Sequence, residues 1–160
     1  MTKDGIMNLE EILSYISQNR SDDIIGLTNG CFDLIHVGHV RYLQEAKSLV
    51  DKLIVAVNSD DSVAKLKGEN RPIIPLAERM EILAALESVD LVTSFDEYNC
   101  KNVISKLCPD VYIKGGDYDS STLPEWETVQ QIGGEVKFID LTSSKSTTQI
   151  IERILSSHHS

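Results

Sequence analysis

The chain is short of cysteine, of long apolar runs and of positive charge. Its three cysteines, Cys31, Cys100 and Cys108, are odd in number and none lies in C-x-x-C spacing. That disfavours a disulfide framework and structural zinc, and suits a reducing cytoplasm. No apolar stretch approaches the roughly 20 residues that span a bilayer. Met1-Thr2-Lys3-Asp4-Gly5 has neither a basic n-region nor an apolar h-region, so no secretory leader is expected. Lys and Arg number 15 against 25 Asp and Glu, for a formal net charge of −10. A nucleic-acid backbone demands many Lys and Arg contacts, so neither a nucleic acid nor an anionic membrane is an expected partner. A small phosphorylated ligand stays open if the few cations are gathered. Lys65, Lys67, Arg71, Lys114 and Lys145 fall in segments that read as loops, and Arg79 lies early in a helix. Each alone reads equally well as solubilising charge. As a set they collect at strand ends.

What is present is a regular alternation of strand and helix patterns. At 160 residues the chain fits one domain (1–160) able to bury about two-thirds of its unfolded surface. Leu9, Ile12, Leu13 and Ile16 recur at helical spacing, so residues 8–19 form an amphipathic helix within an N-terminal extension over 1–22. Asn8 can cap it, with Glu11 as capping-box partner. Short apolar runs at 24–28, 53–57, 91–93, 111–113 and 136–139 read as strands. Helices are expected from near Gly38 to Val50, over about 61–66, 76–87, 98–107 and 124–132, and after Ser146-Thr147-Thr148. Continuous apolar runs, rather than alternation, suggest strands covered on both faces. The expected fold is α/β: a Rossmann-like doubly wound sheet of about five parallel strands with right-handed crossovers. No linker, internal repeat or low-complexity tract divides it. Ligands in such sheets bind beyond the carboxyl ends of the strands, near the point where the winding order reverses.

The densest chemistry lies at the first such end, in Asn29-Gly30-Cys31-Phe32-Asp33-Leu34-Ile35-His36-Val37-Gly38-His39. Two imidazoles in one first helical turn join free backbone N–H groups and the positive end of the helix dipole, a natural phosphate site. Further polar clusters follow the other strands: Asn58 to Asp60, Lys114 to Tyr118, and Ser143 to Thr148.

Gly30-x-Phe32-Asp33-x-x-His36-x-Gly38-His39 resembles the G-x-F-D-x-x-H-x-G-H signature of the nucleotidylyltransferase superfamily. The likeness extends over nearly the whole chain. It is nearest to the adenylyltransferase domain of the bacterial ADP-heptose synthase family, through Val55-Ala56-Val57-Asn58-Ser59-Asp60, Leu66-Lys67-Gly68, Arg71-Pro72, Glu78-Arg79-Met80, Lys114-Gly115-Gly116-Asp117-Tyr118, Gly133-Gly134-Glu135-Val136 and Ser146-Thr147-Thr148-Gln149-Ile150-Ile151. Bifunctional members carry a preceding sugar-kinase domain; the chain resembles the transferase part standing alone.

The resemblance implies that the phosphate of a heptose 1-phosphate attacks the α-phosphorus of ATP, releasing pyrophosphate and forming ADP-heptose for lipopolysaccharide or another surface glycan. The nucleophile is already ionised, so no general base is required. Catalysis rests on alignment and charge stabilisation. His36 and His39 would hold the triphosphate and the five-coordinate phosphorus, and Lys67 would clamp phosphates. Asn29, Gly30, Cys31, Phe32, Gly38, Lys114, Gly115, Gly116, Asp117, Ser146, Thr147 and Thr148 would line the nucleotide. Asp33, Asn58, Lys67, Arg71 and Arg79 are the acceptor-side candidates.

Several of these carry a plainer reading too. Asp33 suits a structural role, capping the helix or orienting His36 and Asn29. Arg79 fits a phosphate or an acidic neighbour equally. Gly30 and Gly38 give clearance for a ligand, Phe32 packs under the loop, Cys31 is a small buried residue, Asp117 bonds ribose or orders its loop, and Tyr118 packs. Mg²⁺ would travel with the phosphates, without protein ligands. A cytoplasmic homodimer is the default assembly.

The rivals are a glycerol-phosphate cytidylyltransferase, an FAD-forming adenylyltransferase and a nucleotide-binding regulatory module. Leu141-Thr142-Ser143-Ser144-Lys145-Ser146-Thr147 lacks the Arg and Gly of the cytidylyltransferase R-T-x-G-[IV]-S-T motif.

Overall fold

The computed structural model describes residues 4–19, 21–141 and 146–158. Five strands, β1 (Ile25–Gly30), β2 (Lys52–Asn58), β3 (Leu91–Phe95), β4 (Val111–Gly115) and β5 (Glu135–Ile139), form one sheet in the order β3-β2-β1-β4-β5. Every adjacent pair is parallel, so the expected doubly wound sheet is what forms. The chain winds outward from β1 through β2 to β3, then returns to lay β4 on the other side of β1. The reversal therefore falls between β1 and β4, and a crevice opens there beyond the strand ends.

The continuous apolar run of β2 is explained by burial on both faces. Leu53, Val55 and Val57 enter one core with Leu43, Ala46 and Leu83, from helices α2 (Val37–Ser48) and α4 (Leu76–Ala84). Ile54 and Ala56 enter the other core, with Ile12, Ile104 and Val129, from α1 (Leu9–Gln18), α5 (Lys101–Leu107) and α6 (Trp126–Gln131). The two-residue period of the pleat divides one run between two layers. Helix α1 carries the expected capping box: Glu11 N–H donates to Asn8 Oδ1, and Asn8 N–H to Glu11 Oε2, both at 2.8 Å. This helix is more than an extension, because Ile12 is fully buried in the second core.

Several boundaries differ from the sequence reading. Strand β1 continues through Asn29 and Gly30, which pair with Ala56 and Val57. The first signature residues therefore sit on a rigid strand. Lys67, expected in a loop, is the last residue of α3 (Asp60–Lys67), whose end is marked by Gly68 at φ 107°. Helix α4 stops at Ala84, three residues early, because Ala85 and Leu86 turn their N–H groups onto carbonyls of the preceding turn. The last helix, α7 (Thr147–His158), has no buried residue among those described, and Ile154 and Leu155 are exposed.

Candidate active site

Between β1 and α2 the backbone turns twice through the left-handed region, at Phe32 (φ 51°) and Leu34 (φ 49°). Such angles cost about 1 kcal/mol or more for a residue with a Cβ, so neighbours must hold them. The Phe32 ring folds back beneath Gly30, where a Cβ would meet it at 3.0 Å. Gly30 thus serves this packing as well as lining the cleft. Asp33 is 2% exposed and anchors the loop. Its carboxylate accepts from Ile73 N–H (2.8 Å), Ile74 N–H (3.0 Å) and Arg71 Nε (2.9 Å). Burial opposes its charge, but these three donors win and hold the carboxyl below the ordinary aspartate value.

Asp33 is therefore neither a helix cap nor a free acceptor ligand. It ties the segment before α4 to the signature loop. Arg79 needs a stronger correction. It is fully buried and spends its guanidinium on protein: Nη1 donates to Cys31 O (2.7 Å) and Asn58 O (2.8 Å), Nε to Ile74 O (2.9 Å), and Nη2 to Asp60 Oδ1 (2.8 Å). It fastens the ends of β1 and β2 and the segment before α4 from below and does not line the cleft.

The two imidazoles build the start of α2. His36 is the N-cap, and its Nδ1 accepts from Gly38 N–H at 3.0 Å. His39 Nδ1 accepts from His36 N–H at 3.2 Å, completing a reciprocal capping box made of two histidines. An Nδ1 that accepts leaves the proton on Nε2. Both rings, 4.1 Å apart between centroids, therefore turn Nε2–H donors away from the backbone. Burial lowers both pKa values, and the neighbouring His36 adds to the effect at His39, which falls to about 4. At neutral pH the pair is two aligned neutral donors.

A stability signature follows. His39 stays neutral in the fold down to about 4, whereas an unfolded histidine protonates near 6.5. Between those values the unfolded state binds more protons, so the contribution is complete above 6.5 and lost as pH falls towards 4. His39→Gln keeps an acceptor for the His36 N–H but does not titrate. Its denaturation midpoints should vary less with pH across this window, with His36 and the carboxylates of Asp33 and Asp119 contributing to the remaining slope. An unchanged slope would show that His39 titrates alike in the folded and unfolded chain.

Around this turn lies a cleft of about 770 Å³. The structure brings Asn29, Gly30, Cys31, Phe32, Asp33, His36, Gly38, His39, Asn58, Lys67, Arg71, Lys114, Gly115 and Ser146 to Thr148 to its walls. Lys67 and Arg71 act on the Cys31 thiol, whose pKa burial nonetheless raises, so Cys31 is an unionised neighbour. Thr147 Oγ1 donates to Asp33 O at 2.6 Å, which sets the start of α7 against the signature loop. Ser146 and Gln149 cap that start reciprocally at 3.2 Å, so the Ser146 hydroxyl is engaged as a cap. Gly116 (φ 98°) turns the loop after β4; neither it nor Asp117 lines the cleft. A Cβ at Gly115 would strike Leu141 and Tyr42 at 2.7 and 2.9 Å, so its missing side chain serves packing. Ser143, Ser144 and Lys145 lie outside the described residues.

The sequence reading passed over Tyr42, Tyr98, Asn99, Pro124 and Glu125, all on the cleft wall. Tyr42 follows His39 by one helical turn, a usable signal. Its hydroxyl lies 2.6 Å from Thr28 Oγ1 and donates to Ile113 O, and burial lifts its pKa to about 12. Tyr98 and Asn99 follow β3, and the strand-end rule would have found them had β3 been carried through Phe95. A second hollow of about 470 Å³ runs along α7 past Ile150, Arg153 and Ile154. It lacks strand ends and clustered cations, whereas most of the sequence-predicted site residues gather in the larger cleft.

A family model described as cytidylyltransferase-like matches residues 27–158. The chain belongs to that family, and with it to the nucleotidyltransferases. Among curated proteins it is 49% identical over 152 residues to the bifunctional protein HldE of Methylococcus capsulatus and 46% over 151 residues to that of Hahella chejuensis. Each alignment covers 94% of this chain and 32% of the relative. The chain thus spans about a third of the length of those proteins. A solved lipopolysaccharide core biosynthesis protein from Thermoplasma volcanium aligns with TM-score 0.61 and 27% identity, over 78% of this chain and 98% of that one. A pantoate-beta-alanine ligase from Francisella tularensis aligns at TM-score 0.58 over 89% of this chain and 68% of its own, with 16% identity, a likeness of fold alone.

Proposed function

We propose that this family member is an adenylyltransferase that joins ATP to a heptose 1-phosphate, releasing pyrophosphate and ADP-heptose. The carrying observation is the histidine capping box: two Nε2–H donors held by backbone hydrogen bonds at the mouth of a 770 Å³ cleft. Donors fixed before reaction stabilise charge as it develops on a phosphoryl group, with no reorganisation at the moment of transfer. The sugar phosphate attacks as an anion, so neither histidine takes a proton. Lys67, exposed at the end of α3 and on the cleft wall, neutralises phosphate oxygens and draws the two anions together. Arg71 keeps its terminal nitrogens for the acceptor phosphate while its Nε holds Asp33.

The nucleotide lies across Lys114, Gly115 and Ser146 to Thr148. The acceptor lies towards Asn58, Lys67 and Arg71. Mg²⁺ fits as a companion of the triphosphate. Asp33 is occupied by three donors, and no group of three or more His, Cys, Asp or Glu is placed for a metal among the described residues. When bound, it neutralises the leaving pyrophosphate. The reading carries a cytoplasmic homodimer; among the described residues no helix is long and apolar enough to cross a membrane. The relatives named HldE support the adenylyl and heptose parts of this reading.

The test is coupled pyrophosphate release with each of four nucleoside triphosphates against heptose 1-phosphate, glycerol 3-phosphate and FMN. ATP with the heptose should be the productive pair, and Lys67→Ala should lower its kcat/KM by about 100-fold. Turnover with CTP and glycerol 3-phosphate, or tight ATP binding without turnover, would replace this reading.

A further inference from the structure

The wall of the cleft formed by the β3–α5 loop and the turn before α6 has no role in the mechanism above. It presents Tyr98, Asn99, Pro124 and Glu125. Glu125 is 3% exposed. Its Oε1 accepts from Cys100 N–H at 3.4 Å, a long bond, which ties the two segments together. Its Oε2 is buried and has no hydrogen-bond partner in the protein. The nearby Tyr112 hydroxyl is spent on Asn29 Oδ1. Lys114 Nζ lies over the Tyr118 ring at 5.3 Å. A buried carboxylate oxygen without a donor is costly, and native proteins keep few of them.

The position of this wall identifies what it meets. Tyr98 and Asn99 follow β3, beside Asn58 at the end of β2, where Ser59 N–H bonds Phe95 O and Ser62 Oγ bonds Glu97 O. That is the acceptor half of the cleft. The wall carries no cation, so it does not suit the phosphate. Asp33 and Arg79, the other polar candidates there, are committed to protein. An amide, a phenol that is 70% exposed, and a carboxylate with one oxygen lacking a donor together suit a neutral body rich in hydroxyl groups.

We propose that Glu125 is a specificity-determining residue for the acceptor, its carboxylate accepting a hydrogen bond from a hydroxyl of the sugar body, with Asn99 and Tyr98 completing the wall. This rests on the sugar-phosphate reading above. A site built to bond a hydroxyl discriminates strongly against the analogue that lacks it, because the protein group is then left unpaired.

The experiment is initial-rate kinetics on the full chain, comparing wild type, Glu125→Gln and Glu125→Ala. The acceptors are heptose 1-phosphate and sugar 1-phosphates lacking one hydroxyl each, with thermal melts alongside. Glu125→Gln should lower kcat/KM for the complete acceptor by about 100-fold and leave the KM for ATP unchanged. For one deoxy acceptor, wild type and variant should converge. Equal losses on every acceptor would mark a structural residue and overturn the inference. A raised KM for ATP with acceptor kinetics intact would overturn it too, by assigning Glu125 to the ribose. If wild type prefers a different sugar 1-phosphate, the heptose assignment fails, and the same comparison made on that sugar decides the role of Glu125. Turnover confined to acceptors without a sugar would overturn both.

Discussion

Replacing both imidazoles, His36→Ala with His39→Ala, is expected to slow pyrophosphate release by about 10⁴-fold or more. One preorganised donor to a developing oxyanion is worth about 10²–10³ in kcat. The two rings sit 4.1 Å apart on one helix start and act on the same group, so their effects will not simply multiply. Loss of the caps has a separate, smaller consequence. Removing a side-chain acceptor from a helix start costs about 1 kcal/mol, which lowers Tm by about 2–4 °C in a chain of this size. A melt shifted by a few degrees beside a rate lost by four decades would therefore place the effect in the chemistry. His39→Gln refines the test, because it retains an acceptor for His36 N–H and replaces the imidazole donor by a side-chain amide. Recovery of the rate in that variant would show that the imidazole itself is dispensable and that an amide N–H serves in its place.

The second large effect concerns stability. Arg79→Ala is expected to cost about 3–5 kcal/mol, the usual penalty for breaking a buried charged network from one side. Three carbonyls, those of Cys31, Asn58 and Ile74, lose their donor in the interior, whereas Asp60 is half exposed and can turn to water. The corresponding fall in Tm is about 6–20 °C. Arg79→Lys should recover only part of it, since one ammonium cannot reproduce a fork that serves four acceptors. Denaturant titration of the three proteins measures this directly. A loss below 1 kcal/mol would mean that the ends of β1 and β2 and the segment before α4 hold together unaided. Activity should fall with stability, because the carbonyls of Cys31 and Asn58 fix the ends of β1 and β2 beside the cleft.

The sheet was legible because each strand is a short apolar run between helical patterns, and the pleat of β2 shows why both faces had to be apolar. The signature turn was legible because its residue types are chemically unusual at that spacing. Arg79 and Asp33 were not. A charged residue near a phosphate site reads as a ligand from sequence, and only the fold shows that backbone groups separated by up to 48 residues claim it first. Glu125 was invisible for the opposite reason: a lone acid before a short helix carries no pattern, and its distinction is an oxygen the interior leaves without a donor. Asn29 and Gly30 looked like loop because their types favour turns, yet pairing with β2 keeps them extended.

The histidine capping box also bears on adventitious transition metals. A zinc or nickel ion would bind an imidazole through an Nε2 lone pair, and freeing that lone pair moves the ring proton to Nδ1. The backbone N–H groups of His36 and Gly38 would then lose their acceptors, and the first turn of α2 would fray. Chelation and helix initiation compete for the same tautomer, so the bonds that organise this corner also shield it from poisoning by such ions.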